Sequence, residues 1–148
     1  MTTMLGVLLR VYLVLGFALE VQTFVRLYVL STPIAALTPS LSDPALDNVP
    51  AFRRLYAVYC ISLGLLRLAA AVDIKNKGLL AALAIVHVVE AAFSIAEVLV
   101  FQHVPPQALL DEPHLKTTGF LALLVAQALL FAYGYMTAST IKSKMHEW

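Results

Sequence analysis

Polar residues in this chain fall in clumps, and long apolar runs lie between them. Four such runs stand out, at about Met4–Leu30, Phe52–Val72, Leu79–Gln102 and Thr117–Ala138. Each reaches the ~20 residues a helix needs to cross the hydrocarbon core of a bilayer. In hydrocarbon every backbone N–H and C=O must be satisfied within the protein, so uninterrupted runs of this length are helices. The first run is broken by Arg10, Glu20 and Arg26. The two arginines lie near its ends and can extend to the interface, whereas Glu20 cannot. The second and third runs are joined only by Asp73–Gly78, which makes them antiparallel neighbours. The pattern predicts an all-α membrane protein, a four-transmembrane-helix bundle with antiparallel second and third helices. All 148 residues form one domain in this reading.

The polar stretches define the connections. Ser31–Pro50 carries Pro33, Pro39, Pro44 and Pro50 among Ser, Thr and Asp. Proline at this density removes backbone donors and blocks regular ladders, so an extended polar loop is expected. Asn48 and Pro50 read as a helix start. His103–Lys116 is a second loop, with Pro105, Pro106 and Pro113. In the tail, Lys142, Lys144 and Trp148 read as interface anchors. Gly119 and Gly134, with Ala122, Ala126 and Ala138, offer a small-residue face for close helix packing.

Composition supports the membrane reading. The chain is 61% hydrophobic and 13% charged, with a mean hydropathy of +0.86; a soluble domain carries about 25% charged residues. The net charge of +1 gives no electrostatic case for a nucleic-acid partner. Cys60 is the single cysteine, so neither an internal disulfide nor a cysteine-based metal site is expected, and the thiol reads as a small packing group. Met1–Leu9 lacks the basic region of a signal peptide, so the first helix is expected to be retained. Basic residues in the short loops slightly favour termini on the cytosolic side.

Charges inside the apolar runs are costly and must face protein, pair, or serve a function. Arg54 lies 22 residues before Asn76 and Glu97 lies 21 after it. Depth counting therefore puts them level at the far end of the hairpin, and Arg54 or Arg53 is expected to pair with Glu97. Arg67 lies roughly 13 Å in from the turn by the same rise. His87, Glu90, Ser94 and Glu97 are spaced by three, four and three, so they share one helix face. One reading is a buried ionic network of Arg67 with Glu90 or Glu20 and with His87. Another is a proton path or ligand site. A two-metal bundle would need a second His and carboxylate pair at matching depth, and the chain has none. Gly-rich phosphate loops, a nucleophile elbow and Cys-pair motifs are also missing. No catalytic residue, cofactor or metal is therefore expected. Asp73, Asn76 and Lys77 read as turn and headgroup residues.

One set of residues carries a resemblance. Arg54, Tyr56, Arg67, the Asp73-Ile74-Lys75-Asn76-Lys77 turn, and Ala96-Glu97 followed by Val98-Leu99-Val100-Phe101 resemble the ergosterol biosynthetic protein twenty-eight family. Gln22, Thr23 and Phe24 resemble a polar-aromatic spot on that family's first helix. The resemblance covers mainly Arg54–Phe101. It departs at Phe93, where the family usually has a His, and in the lengths of the two Pro-containing loops. It implies a four-helix protein of the endoplasmic-reticulum membrane without its own enzymatic activity. Such proteins tether the enzymes of sterol C-4 demethylation: an oxidase, a decarboxylase and a 3-keto reductase.

Three functions are thus carried forward. The first is this membrane scaffold, in contact with lipids and sterol enzymes. The second is an accessory subunit of another large assembly, such as a mitochondrial respiratory complex or ATP synthase in the inner membrane. The third is a small enzyme or transporter using Arg67, His87 and Glu90. Self-association through exposed small and aromatic faces is compatible with the first two.

Overall fold

The computed structural model describes residues 2–39, 41, 44–101 and 109–145. Four helices dominate: α1 Thr2–Phe24, α2 Pro50–Val72, α3 Lys77–Leu99 and α4 Leu115–Met145. Among the described residues there is no strand. All four helices contain a stretch long and apolar enough to span a membrane: Gly6–Val29, Pro50–Val72, Lys77–Leu99 and Leu115–Thr137. The first stretch continues α1 through a π-helical turn at Val25–Val29.

Local chemistry sets the helix ends. Pro50 stands in the first turn of α2, where its missing N–H costs nothing. Asn48 does not cap this helix; its N-cap is Val49, which makes no side-chain cap bond. Asn76 Oδ1 accepts from the Leu79 N–H at 3.2 Å and caps α3, which therefore starts at Lys77, two residues earlier than the apolar run. The turn closes through Asp73 N–H to Ala69 O and Asn76 N–H to Asp73 O, each 3.0 Å. Asp73 contributes its backbone here, and its side chain is exposed. The fourth helix runs past the predicted end to Met145. Trp148 and residues 102–108 lie outside the described residues.

Ser31–Pro50 is not the extended polar loop its prolines predicted. Two 3-10 turns, Ile34–Ala36 and Pro44–Asn48, fold it over one end of the bundle. Ile34 is fully buried with Leu27, Ala57 and Cys60, and Leu37, Leu41 and Leu46 pack against them. These aliphatic side chains between the prolines supply the anchor that a purely polar loop lacks. Thr38 is buried too, and its Oγ1 shares a 2.7 Å hydrogen bond with the Tyr56 hydroxyl.

The helices associate as two close pairs, α1 with α2 and α3 with α4. Apolar burial gives little drive between helices in lipid, so close approach of small residues matters. A Cβ at Gly64 would lie 2.9 Å from Glu20 Cβ and 3.3 Å from Phe17, which shows how tightly α1 crosses α2. Gly134 packs on Leu9 and Leu80. Gly119, Ala122 and Ala126, expected on the same packing face, are exposed instead, and Ala138 lies beyond the described side chains. The pairs join in one apolar core. Leu9 and Leu13 of α1 meet Leu63, Ala70 and Ala71 of α2, Leu80 and Leu83 of α3 and Phe131 of α4.

Candidate functional site

The α2–α3 hairpin brings residues of opposite chain direction to one level: Arg67 meets His87, and Tyr59 meets Glu90. Arg67 is 5% exposed. Its Nη1 lies 3.5 Å from Glu20 Oε1 on α1, and its Nη2 lies 2.8 Å from His87 Nε2 on α3. One guanidinium thus bridges both helix pairs. His87 Nδ1 lies 2.7 Å from Leu83 O. A carbonyl only accepts, so Nδ1 carries the hydrogen, and an arginine only donates, so Nε2 offers its lone pair. Every hydrogen bond in this arrangement is met by a neutral imidazole. The fully buried ring also leans on Phe131, with centroids 4.9 Å apart at 52°.

Glu90 continues the network. The Tyr59 hydroxyl donates to its Oε1 at 2.6 Å. Its Oε2 lies 3.9 Å from His87 Nε2, a polar approach rather than an ion pair, given the neutral ring. Neither Glu90 Oε2 nor Arg67 Nε has a hydrogen-bond partner among the described groups, although both are buried. Gly16 makes room for the guanidinium: a Cβ there would lie 2.6 Å from Arg67 Nη1 and 3.0 Å from Cδ. A second polar bridge, Gln127 Nε2 to the Tyr12 hydroxyl at 2.6 Å, ties α4 to α1.

Arg67, Glu20, His87 and Glu90 are therefore gathered in one place, with Glu20 as the Arg67 ion-pair partner. Glu90 goes to Tyr59 instead. Asp73, Asn76 and Lys77 form the turn and the start of α3. Arg54 is exposed and Glu97 half-buried, and among the described residues no ion pair joins Arg53 or Arg54 to Glu97. Depth counting fixes level but not direction. At 100° per residue, Arg54 is turned about 140° away from the Arg67 direction. Each of the two helices also packs mainly on another helix, α2 on α1 and α3 on α4. Arg53 is half-buried, with an Nε lacking a hydrogen-bond partner. Sequence reasoning overlooked Tyr59 and Gly16. The signal for Tyr59 was its three-residue spacing from Tyr56 on an otherwise apolar helix; a lone glycine such as Gly16 carries no such signal.

An open cavity of about 310 Å³ lies between α2, α3 and α4 beside Thr38 and Leu41. Tyr56, Tyr59, Glu90 and Ser94 give it polar groups, and Phe93 and Leu124 contribute to its apolar walls. Among the described residues no group of three or more His, Cys, Asp or Glu side chains is placed to hold a metal ion.

The family model described as Erg28 like protein matches residues 6–130. The match extends well beyond the Arg54–Phe101 stretch that carried the resemblance, and it includes Glu20 and the cavity-lining part of α4. No curated protein and no solved structure shows a significant match to the chain.

Proposed function

The chain belongs to the Erg28-like family, a sterol-biosynthesis-associated group of membrane proteins, and we propose that it acts there as a non-enzymatic scaffold. In this reading it holds the enzymes of sterol C-4 demethylation side by side in the endoplasmic-reticulum membrane. The family match over residues 6–130 carries the reading. The chemistry of the buried network agrees with it. Arg67, Glu20, His87, Glu90 and Tyr59 are mostly spent on one another, an arrangement that fixes helix positions. The outer faces offer partners ample apolar surface: Val11, Leu15 and Leu19 on α1, and Ile85, Val88 and Phe93 on α3, are all at least half exposed.

The test is purification of the tagged chain in mild detergent, with co-purifying proteins identified by mass. Recovery of a sterol C-4 oxidase, decarboxylase or ketoreductase is the expected result. Recovery of respiratory or ATP synthase subunits instead would overturn it.

A further inference from the structure

We propose that His87 is a proton-operated latch between the two helix pairs: the neutral ring holds Arg67, and the protonated ring lets go of Arg67 and pairs with Glu90 on its own helix. The inference does not depend on the scaffold reading. Its first support is that two partners compete for one lone pair. Nδ1 already donates to Leu83 O at 2.7 Å, so a further proton can only go to Nε2. That is the atom to which Arg67 Nη2 donates at 2.8 Å. A proton taken from water forms an Nε2–H bond and leaves two donors face to face. Acid therefore breaks the Arg67 contact, and base restores it.

A replacement partner within reach is the second support. Glu90 Oε2 lies 3.9 Å from Nε2, buried and without a hydrogen-bond partner. Buried acceptors are seldom left unmet in a native fold without a reason. A protonated Nε2 supplies the missing donor once the gap closes by roughly 1 Å, to the ~2.9 Å of a good N–H···O bond. Glu90 Oε1 keeps its bond from Tyr59. Arg67 keeps Glu20, and its freed Nη2 can turn to the second oxygen of that carboxylate, the two-point pairing that suits a guanidinium.

The charges on every element around the ring agree. Glu20 stands on α1, Arg67 and Tyr59 on α2 and Glu90 on α3, while α4 presents the uncharged Phe131. The Cys60 thiol lies one step further off, beside Glu20. Arg67 with Glu20, and protonated His87 with Glu90, make two neutral pairs, the state hydrocarbon favours. The first lies within the α1–α2 pair and the second on α3 of the other. Proton uptake thus divides the network along the boundary between the helix pairs and leaves Tyr59–Glu90 as its link from α2 to α3. The proton has a way in: Tyr59 is 37% exposed, and its hydroxyl joins the carboxyl that approaches Nε2.

The experiment is solid-state NMR of the full chain in phosphatidylcholine bilayers, with labelled histidine and arginine. His103→Asn, His114→Asn and His146→Asn leave His87 as the single ring observed. At pH 8 the ring should show one protonated and one bare nitrogen, with a through-space contact to the Arg67 guanidinium. At pH 5, below the ~6.5 of an ordinary histidine, both nitrogens should carry protons and the Arg67 contact should be lost. Glu90→Gln keeps an acceptor for Tyr59 but removes the charge. It should cut the doubly protonated population at pH 5 by about ten-fold or more, the lower end of what one close opposite charge contributes. A ring that stays singly protonated at pH 5 in the native chain would overturn the proposal. So would double protonation with the Arg67 contact intact, or a Glu90→Gln variant that responds to acid like the native chain. The native chain decides the matter alone if Glu90→Gln does not fold. Because no enzyme partner is present, failure here leaves the scaffold reading untouched.

Discussion

Toward the Asp73–Asn76 turn, all four helices meet on apolar side chains, from Leu9 and Leu13 to Phe131. Toward the opposite end, Tyr59–Glu90 bridges α2 and α3 beside an open cavity, and a folded loop packs over that end. Arg67 and His87 sit at the boundary between these regions. The difference shows what each kind of contact can do in lipid. Apolar packing holds helices together only where small residues let them approach, because lipid competes for the same dispersion contacts. A polar contact reaches further and is directional, so it can hold two helices at a set distance and leave a cavity beside it.

The comparison is broken most severely at the boundary. Arg67→Met should destabilise the bundle by roughly 3–5 kcal/mol, since it strands Glu20 and His87 in a buried site. Reversible denaturation in mixed micelles reads this loss. Adding Glu20→Met should restore much of it, because the stranded carboxylate is then gone. Gly16→Val comes next, at roughly 1–3 kcal/mol, because its Cβ would enter the space of the Arg67 guanidinium. The same assay should show that loss, with the change at Gly6, where a Cβ would meet nothing within 4 Å, nearly silent. Tyr59→Phe removes the bridge in the open region alone. It should cost about 0.6–1.7 kcal/mol, the range for hydrogen bonds between membrane helices. Limited proteolysis should then find the Thr38 loop opened while the apolar core stays protected.

The smallest effect has the opposite sign. Ser31 has φ of 54°, just after the π-helical turn, where Thr32 N–H reaches Arg26 O at 2.9 Å. A side chain there pays ~1–2 kcal/mol for the left-handed backbone, of which glycine's greater unfolded freedom returns ~0.5–1. Ser31→Gly should thus raise stability by about 0.5 kcal/mol in the micelle assay.

Much of this architecture was legible in the order of residues. Four apolar runs and a six-residue link specify the helices and the hairpin. The Glu20, Arg67, His87 and Glu90 positions stood out because charge in hydrocarbon needs a reason. The network's pairing was legible only in part. Spacing gives depth along a helix, but the choice of Glu20 over Glu90 depends on how far α1 approaches α2, which Gly16 and Gly64 set. The Arg54–Glu97 pairing rested on depth alone, which gives no direction, and no ion pair joins the two among the described residues. The Ser31–Pro50 loop was misread because proline dominates local expectation, whereas Ile34, Leu37, Leu41 and Leu46 decide the packing.

The claim that Arg67 joins the two helix pairs is tested most directly by a double-mutant cycle. Arg67→Met, His87→Leu and the combined variant would be compared with the native chain by denaturation in mixed micelles. The two residues lie on helices that pack mainly against other partners, so their coupling reports the bridge itself. A coupling energy of about 0.6–1.7 kcal/mol is the predicted result. Additive effects, with no coupling, would contradict it.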